Sequence, residues 1–154
     1  MIINSLQEFC KFFYHNQPII AIDYGIKKLG IAISSPDHKI AMPFKMITAT
    51  NKKEQIATVL SLLKEKQICG IIVGLPVNID GSHSEQTEIT LKFARQLAGQ
   101  TNIPIFMQDE RLTTKAADSL LKNFGFNRKK RNSQDDVIAA SLILETVLES
   151  IKRL

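Results

Sequence analysis

Apolar and polar positions alternate in two rhythms along the chain. Leu6, Phe9, Phe12 and Phe13 fall on one helical face, Ser5 and Glu8 fit a capping box ahead of them, and Pro18 ends the helix. Ile19-Ile20-Ala21-Ile22 is a compact apolar run of the kind a buried strand shows, closed by Asp23 and Gly25. Residues 30–34 give a second strand. Residues 39–47 give a third, bent near Pro43. The short spacings predict an antiparallel meander. The second half changes rhythm. Asn51 and Glu54 open a helix through Lys66, and residues 68–73 form a buried strand. Ser82 and Glu85 cap a helix that ends near Gly99, and a strand follows at residues 103–107. Helices are predicted at 114–122 and from 134 onward, separated by a basic loop at 125–132. Strands alternating with helices imply parallel pairing through right-handed crossovers. The expected fold is a mixed α/β sheet of five strands, three antiparallel then two parallel, flanked by helices.

Composition narrows the class. At 154 residues the chain suits one domain, able to bury roughly 70% of its extended surface. With 44% hydrophobic and 23% charged residues it reads as globular rather than disordered. Two cysteines, Cys10 and Cys69, cannot build a disulfide framework or a cysteine-rich zinc site. No run of 18 apolar residues suggests a membrane span, and residues 1–17 lack the pattern of a signal peptide. A reducing cytoplasm, with no membrane partner, is the default. The net charge of +5 permits a polyanionic partner without requiring one.

Three acids occupy positions that matter. Asp23 ends one apolar strand, Glu110 follows another, and Asp136 opens the last helix. Strand ends on one edge of an α/β sheet are where sites form. Convergence of the three would be costly, since one like-charge pair at about 4 Å opposes folding by roughly 4 kcal/mol at an effective dielectric near 20. A cation or raised pKa values would be needed, and hard oxygen donors favour Mg²⁺ or Mn²⁺. Each acid also has a local account. Asp23 could cap the turn before Gly25, Glu110 could pair with Arg111 or a lysine, and Ser133 with Asp136 fits a capping box. Projection at about 100° per residue puts Asp136 in the stripe of Ala140, Ile143 and Val147, and Asp135 nearer Thr146 and Glu149.

The glycines and cations extend the pattern. Gly25 and Gly30 frame Gly-x-x-x-x-Gly without the Lys-Ser/Thr of a nucleotide-binding loop, so a hairpin turn with positive φ is the plain reading. Backbone approach to phosphate beside Asp23 is the functional one. Gly74-Leu75-Pro76, followed by Asp80, Gly81 and Ser82, reads either as a turn before a helix or as a loop whose amides meet phosphate. Lys27 and Lys28 follow Asp23, and Arg128, Lys129, Lys130 and Arg131 precede Asp136, which suits phosphate contacts. The three histidines show no metal-ligand spacing.

In order and spacing, these segments resemble the YqgF family, also called RuvX or Holliday-junction-resolvase-like proteins. Its bacterial members are described as pre-16S rRNA nucleases. The likeness rests on Ala21-Ile22-Asp23-Tyr24-Gly25 with Gly30-Ile31-Ala32, Ile72-Val73-Gly74-Leu75-Pro76 with Asp80-Gly81, Asp109-Glu110-Arg111-Leu112-Thr113-Thr114, and Asp136 ahead of Ala139-Ala140. It spans about residues 19–148. It implies an RNase H-like fold over residues 18–154; the N-terminal helical extension at 1–17 departs from the family, whose members usually begin close to the first strand. It implies phosphodiester hydrolysis with Asp23, Glu110 and Asp136 holding two Mg²⁺ or Mn²⁺ ions. Arg111 would either orient Glu110 or meet phosphate. The expected substrate is precursor rRNA, free or within ribosomal precursor particles. The alternatives are branched DNA, cut by a dimeric resolvase, and a non-catalytic RNA-binding assembly factor. Monomer and homodimer both remain open.

Overall fold

A computed structural model describes residues 1–113 and 135–154, with the side chains of residues 112, 113, 135 and 136 outside that description. The helix expected at 114–122 and the basic loop carrying Arg128, Lys129, Lys130 and Arg131 lie outside the described residues. In chain order the described elements are β1 (Ile2–Ile3), α1 (Leu6–Cys10), β2 (Ile19–Tyr24), β3 (Lys28–Ser34), β4 (Ala41–Thr48), α2 (Lys52–Glu65), β5 (Gly70–Leu75), α3 (Glu85–Ala98), β6 (Ile105–Asp109), a 3₁₀ turn (Glu110–Thr113) and α4 (Asp135–Lys152).

The sheet has six described strands in the order β1-β6-β5-β2-β3-β4. Strands β1, β6, β5 and β2 run parallel, and β3 and β4 complete the meander antiparallel. The expected mixed sheet is therefore present with one more strand than predicted. Strand β1 is two residues long, too short for any periodicity to reveal, and pairs Ile2 and Ile3 with Ile105 and Phe106. The N-terminal helix is also shorter than expected. Ser5 caps it by accepting from the Glu8 amide, but it covers only Leu6–Cys10, and Phe9 is fully buried against Phe13 and Phe106.

Central strands sandwiched between helices read as continuous apolar runs, and β2 and β5 do so. Alternation along β2 divides the core. Ile20, Ile22 and Tyr24 join α2 and α3 through Ile56, Val59, Leu63, Phe93 and Leu97. Ile19 and Ala21 face the other way, toward Phe9 and the α4 residues Ala140, Ile143, Leu144, Val147 and Leu148. Strand β4 lies on the sheet edge, where Pro43 forfeits no ladder bond that a neighbour needs. The pairing slips between Ile31 and Ala32 opposite Pro43, which is the expected bend.

One helix start differs from the prediction. The cap of α3 is Ser84, whose hydroxyl accepts from the Thr87 amide while Thr87 Oγ1 accepts from the Ser84 amide. Ser82 instead bonds Asp80 and Asn78 within the preceding loop. The expected cap at Ser82 is therefore two residues early, because the loop bonds claim its hydroxyl.

Candidate active site

The C-terminal ends of three adjacent parallel strands lie on one edge of the sheet. Strand β5 is in the middle, pairing Ile22 of β2 with Val73 and Gln108 of β6 with Gly74. Asp23 is the one residue of β2 that is only partly buried, and it lies opposite Gly30 of β3. By alternation it shares the α4 face with Ile19 and Ala21. Glu110 follows the last residue of β6. Between the two strands, Gly74 presents bare backbone on the same face. A β-carbon built there would lie 2.5 Å from Glu110 Oε1 and would also strike Ile143 Cδ1 of α4. Absence of a side chain at residue 74 is thus what lets the Glu110 carboxylate lie against β5.

Glu110 is half-buried, and its pKa is raised, first by burial and then by the neighbouring charge of Asp109. Asp109 moves the other way. Arg111 donates from Nε to Asp109 Oδ1 and Oδ2 at 3.1 and 3.0 Å and from Nη2 to Oδ2 at 2.7 Å, which holds the carboxyl below its usual range. Arg111 thus pairs with Asp109 and not with Glu110. Its Nη1 also donates to the Ile79 carbonyl at 3.3 Å, tying the loop after β5 to the end of β6.

That loop carries Asp80, Gly81 and Ser82. Gly81 has φ of 88°, the left-handed region that glycine enters freely, and its amide donates to the Asn78 carbonyl. Asp80 Oδ1 accepts from the Ser82 amide and hydroxyl, which lowers its pKa. The amides expected to face phosphate are thus partly engaged inside the loop. Gly25 differs from expectation, because among the described glycines only Gly81 has positive φ. The need at Gly25 is close approach, since a β-carbon there would lie 2.5 Å from the Lys28 carbonyl oxygen. Lys27 and Lys28 are exposed on this turn.

Sequence reasoning missed Gln55. It is fully buried on α2, and its Nε2 donates to the carbonyls of Gly25 and Ile26 at 3.3 and 2.9 Å. Gln86 of α3 donates to the Tyr24 carbonyl at 3.4 Å. Two helices therefore brace the turn that follows Asp23. Apolar neighbours on α2 gave a signal for burial there, but none for what the amide would reach.

The backbone of Asp136 lies in the first turn of α4, two turns before Ile143 on the same stripe, and its side chain is outside the described residues. Among the described residues no three His, Cys, Asp or Glu side chains are grouped to hold a metal. The donor set that sequence and structure supply is carboxylate oxygen. A half-buried Glu110 with its ionised form disfavoured is the electrostatic setting that a hard divalent cation relieves, so the residues fit Mg²⁺.

This setting has a thermodynamic consequence. A raised carboxyl pKa in the folded state means that the unfolded chain ionises first as pH rises. Metal-free protein therefore loses stability from the ordinary carboxylate range upward, until Glu110 itself has ionised. Glu110→Gln removes that loss. In EDTA the variant is expected to melt above the parent at about pH 7 and to converge with it near about pH 4. Adding Mg²⁺ should raise the melting temperature of the parent more than that of the variant. Calorimetry across this range checks both effects, and a parent more stable than the variant in EDTA at neutral pH would contradict them.

The profile of the RuvX family, described as Holliday junction resolvase, matches residues 17–150. A protein of Rickettsia peacockii (strain Rustic) named "Putative pre-16S rRNA nuclease" is 55% identical over 154 residues, covering all of both chains. One of the same name from Rickettsia canadensis (strain McKiel) is 56% identical over 153 residues, 99% of each chain. The segment before β2 is thus shared with these relatives. Among solved structures, T. thermophilus RuvC in complex with Holliday junction substrate aligns with a TM-score of 0.63 at 15% identity, covering 89% of this chain and 96% of that one. The large terminase nuclease from thermophilic phage G20c aligns at 0.54 and 10%, covering 83% and 80%. At these identities the structural likeness is one of fold.

Proposed function

The chain belongs to the RuvX family, and from that premise we propose that it is a divalent-metal-dependent nuclease acting in 5′-end processing of precursor 16S rRNA. The observation that carries the reading is the Glu110 carboxylate lying over Gly74, beside the end of β2 that bears Asp23. In this reading Asp23, Glu110 and Asp136 hold two Mg²⁺ ions. When bound, such ions polarise a phosphoryl oxygen and supply a nucleophilic water at neutral pH.

The remaining steps belong to the chain's own residues. Lys27 and Lys28 attract the backbone of the substrate, joined by Arg128, Lys129, Lys130 and Arg131. Gln55 and Gln86 fix the carbonyls after Asp23, which holds its strand end in register with β5. Arg111 balances the charge of Asp109 next to Glu110 and holds the loop bearing Asp80, Gly81 and Ser82. Its guanidinium is committed to these contacts, which favours a positioning role over phosphate binding.

Family membership also favours a second reading, resolution of branched DNA by a symmetric dimer. The same experiment separates the two. Purified protein is incubated with precursor 16S rRNA and with a four-way DNA junction, each in Mg²⁺ and in EDTA. The expected result is Mg²⁺-dependent cleavage of the precursor near its 5′ end and none in EDTA. Paired symmetric nicks in the junction, with intact rRNA, would move the assignment to a resolvase. Binding of RNA without cleavage of any substrate would overturn the catalytic reading.

A further inference from the structure

We propose that Ile79 and Ile26 form two apolar lips beside the carboxylates and that unpaired nucleobases of the substrate pack on them. This rests on the nuclease reading above and specifies its substrate as single-stranded at the point of contact.

Ile79 is 96% exposed and Ile26 is 61% exposed. A lone exposed isoleucine is ordinary on a protein surface. These two differ in where they sit and in how they are held. They lie on the loops that leave β5 and β2, adjacent parallel strands, at the edge that bears Asp23, Gly74 and Glu110.

Both loops are braced. The Ile79 carbonyl accepts from Arg111 Nη1, and the residues around it are closed by bonds from the Asn78 amide to the Ser82 carbonyl, from the Gly81 amide to the Asn78 carbonyl and from Ser82 to Asp80. The Ile26 carbonyl accepts from Gln55 Nε2 at 2.9 Å. Gln55 is fully buried, so its amide holds the turn from inside the packed fold. Each isoleucine is therefore presented to solvent by a backbone fixed from below.

The surroundings indicate the occupant. Ile26 is followed by the exposed cations Lys27 and Lys28, and Ile79 borders an open concavity of about 660 Å³ lined by Val77, Asn78, Ile79 and Asp80. A ligand that offers apolar faces together with a regularly charged backbone meets both features, and a nucleic acid with unpaired bases is such a ligand. A continuous duplex keeps its base faces stacked inside, and isoleucine reaches them only by wedging a step apart.

The test uses the full chain in EDTA, so that binding is read without cleavage. Ile79→Ser, Ile26→Ser and Ile79→Trp are compared with the parent by anisotropy, using a labelled single-stranded RNA and a fully paired RNA duplex of equal length. Each serine variant is expected to weaken single-strand binding about tenfold and to leave duplex binding unchanged. Ile79→Trp should bind the single strand at least as well as the parent, because a flat ring stacks on bases. Melting temperatures should not move, since both side chains are solvent-exposed. Unchanged single-strand affinity would overturn the proposal, as would equal losses on single strand and duplex. So would a serine effect confined to self-association in sedimentation velocity, which would assign the lips to a protein contact. A parent that binds RNA through these residues yet cleaves nothing in Mg²⁺ would instead refute the nuclease reading alone.

Discussion

Asp23→Asn is expected to slow Mg²⁺-dependent cleavage by at least about 100-fold while leaving the fold intact. The expectation follows from what the substitution keeps and what it removes. Asparagine has the shape of aspartate, and the backbone of residue 23 stays in its ladder opposite Gly30. The side chain is only partly buried, so exchanging oxygen for NH₂ disturbs no apolar packing. What goes is one negative charge at the strand end beside Gly74 and Glu110. A bound metal contributes several kcal/mol of transition-state stabilisation, and about 3 kcal/mol corresponds to roughly 100-fold in rate. Cleavage kinetics, melting temperature and Mg²⁺ titration by calorimetry are measured together. A folded variant that cleaves precursor rRNA and branched DNA at the parent rate would overturn the proposed role of Asp23 in holding metal.

Much of this arrangement was legible in the sequence, because burial leaves a direct mark on it. Strands covered on both faces are apolar throughout, so Asp23 after Ile19-Ile20-Ala21-Ile22 and Gly74 after Ile71-Ile72-Val73 stood out as interruptions. Local caps were legible at Ser5 and Asn51, whereas the cap expected at Ser82 lies two residues on, at Ser84, because the preceding loop claims the Ser82 hydroxyl. Strand β1 was invisible because two residues carry no period. Long-range polar contacts were invisible for another reason. The bonds from Gln55 to Gly25 and Ile26 span about thirty residues, and no local pattern encodes which helix faces which turn. Arg111 was recognised as a residue with a role, but its partner was not. Its choice of Asp109 over Glu110 depends on Glu110 turning inward over Gly74, which needs the sheet to be assembled first.

Gly74→Val is the second large effect expected, and it separates packing from chemistry. By propensity alone valine suits a buried strand better than glycine. The space argues the opposite. A β-carbon at residue 74 meets Glu110 Oε1 at 2.5 Å and collides with Ile143 Cδ1, and Ile143 is only 2% exposed, so it has little room to turn away. Overpacking of this kind costs about 1–3 kcal/mol in stability. Under the proposed role of Glu110, activity should fall further than stability, because displacing its carboxylate by about 1 Å is enough for roughly 100-fold. A milder pair isolates the cause. Gly74→Ala combined with Ile143→Val removes the Cδ1 collision and leaves Ile143 Cγ1 at 3.2 Å, a contact that a small shift relieves, while Glu110 Oε1 remains crowded. The double variant is expected to regain most of the melting temperature lost by Gly74→Ala and little of its activity. Joint recovery of both would mean that Gly74 serves the approach of α4 alone, and that Glu110 does not need the bare backbone beneath it.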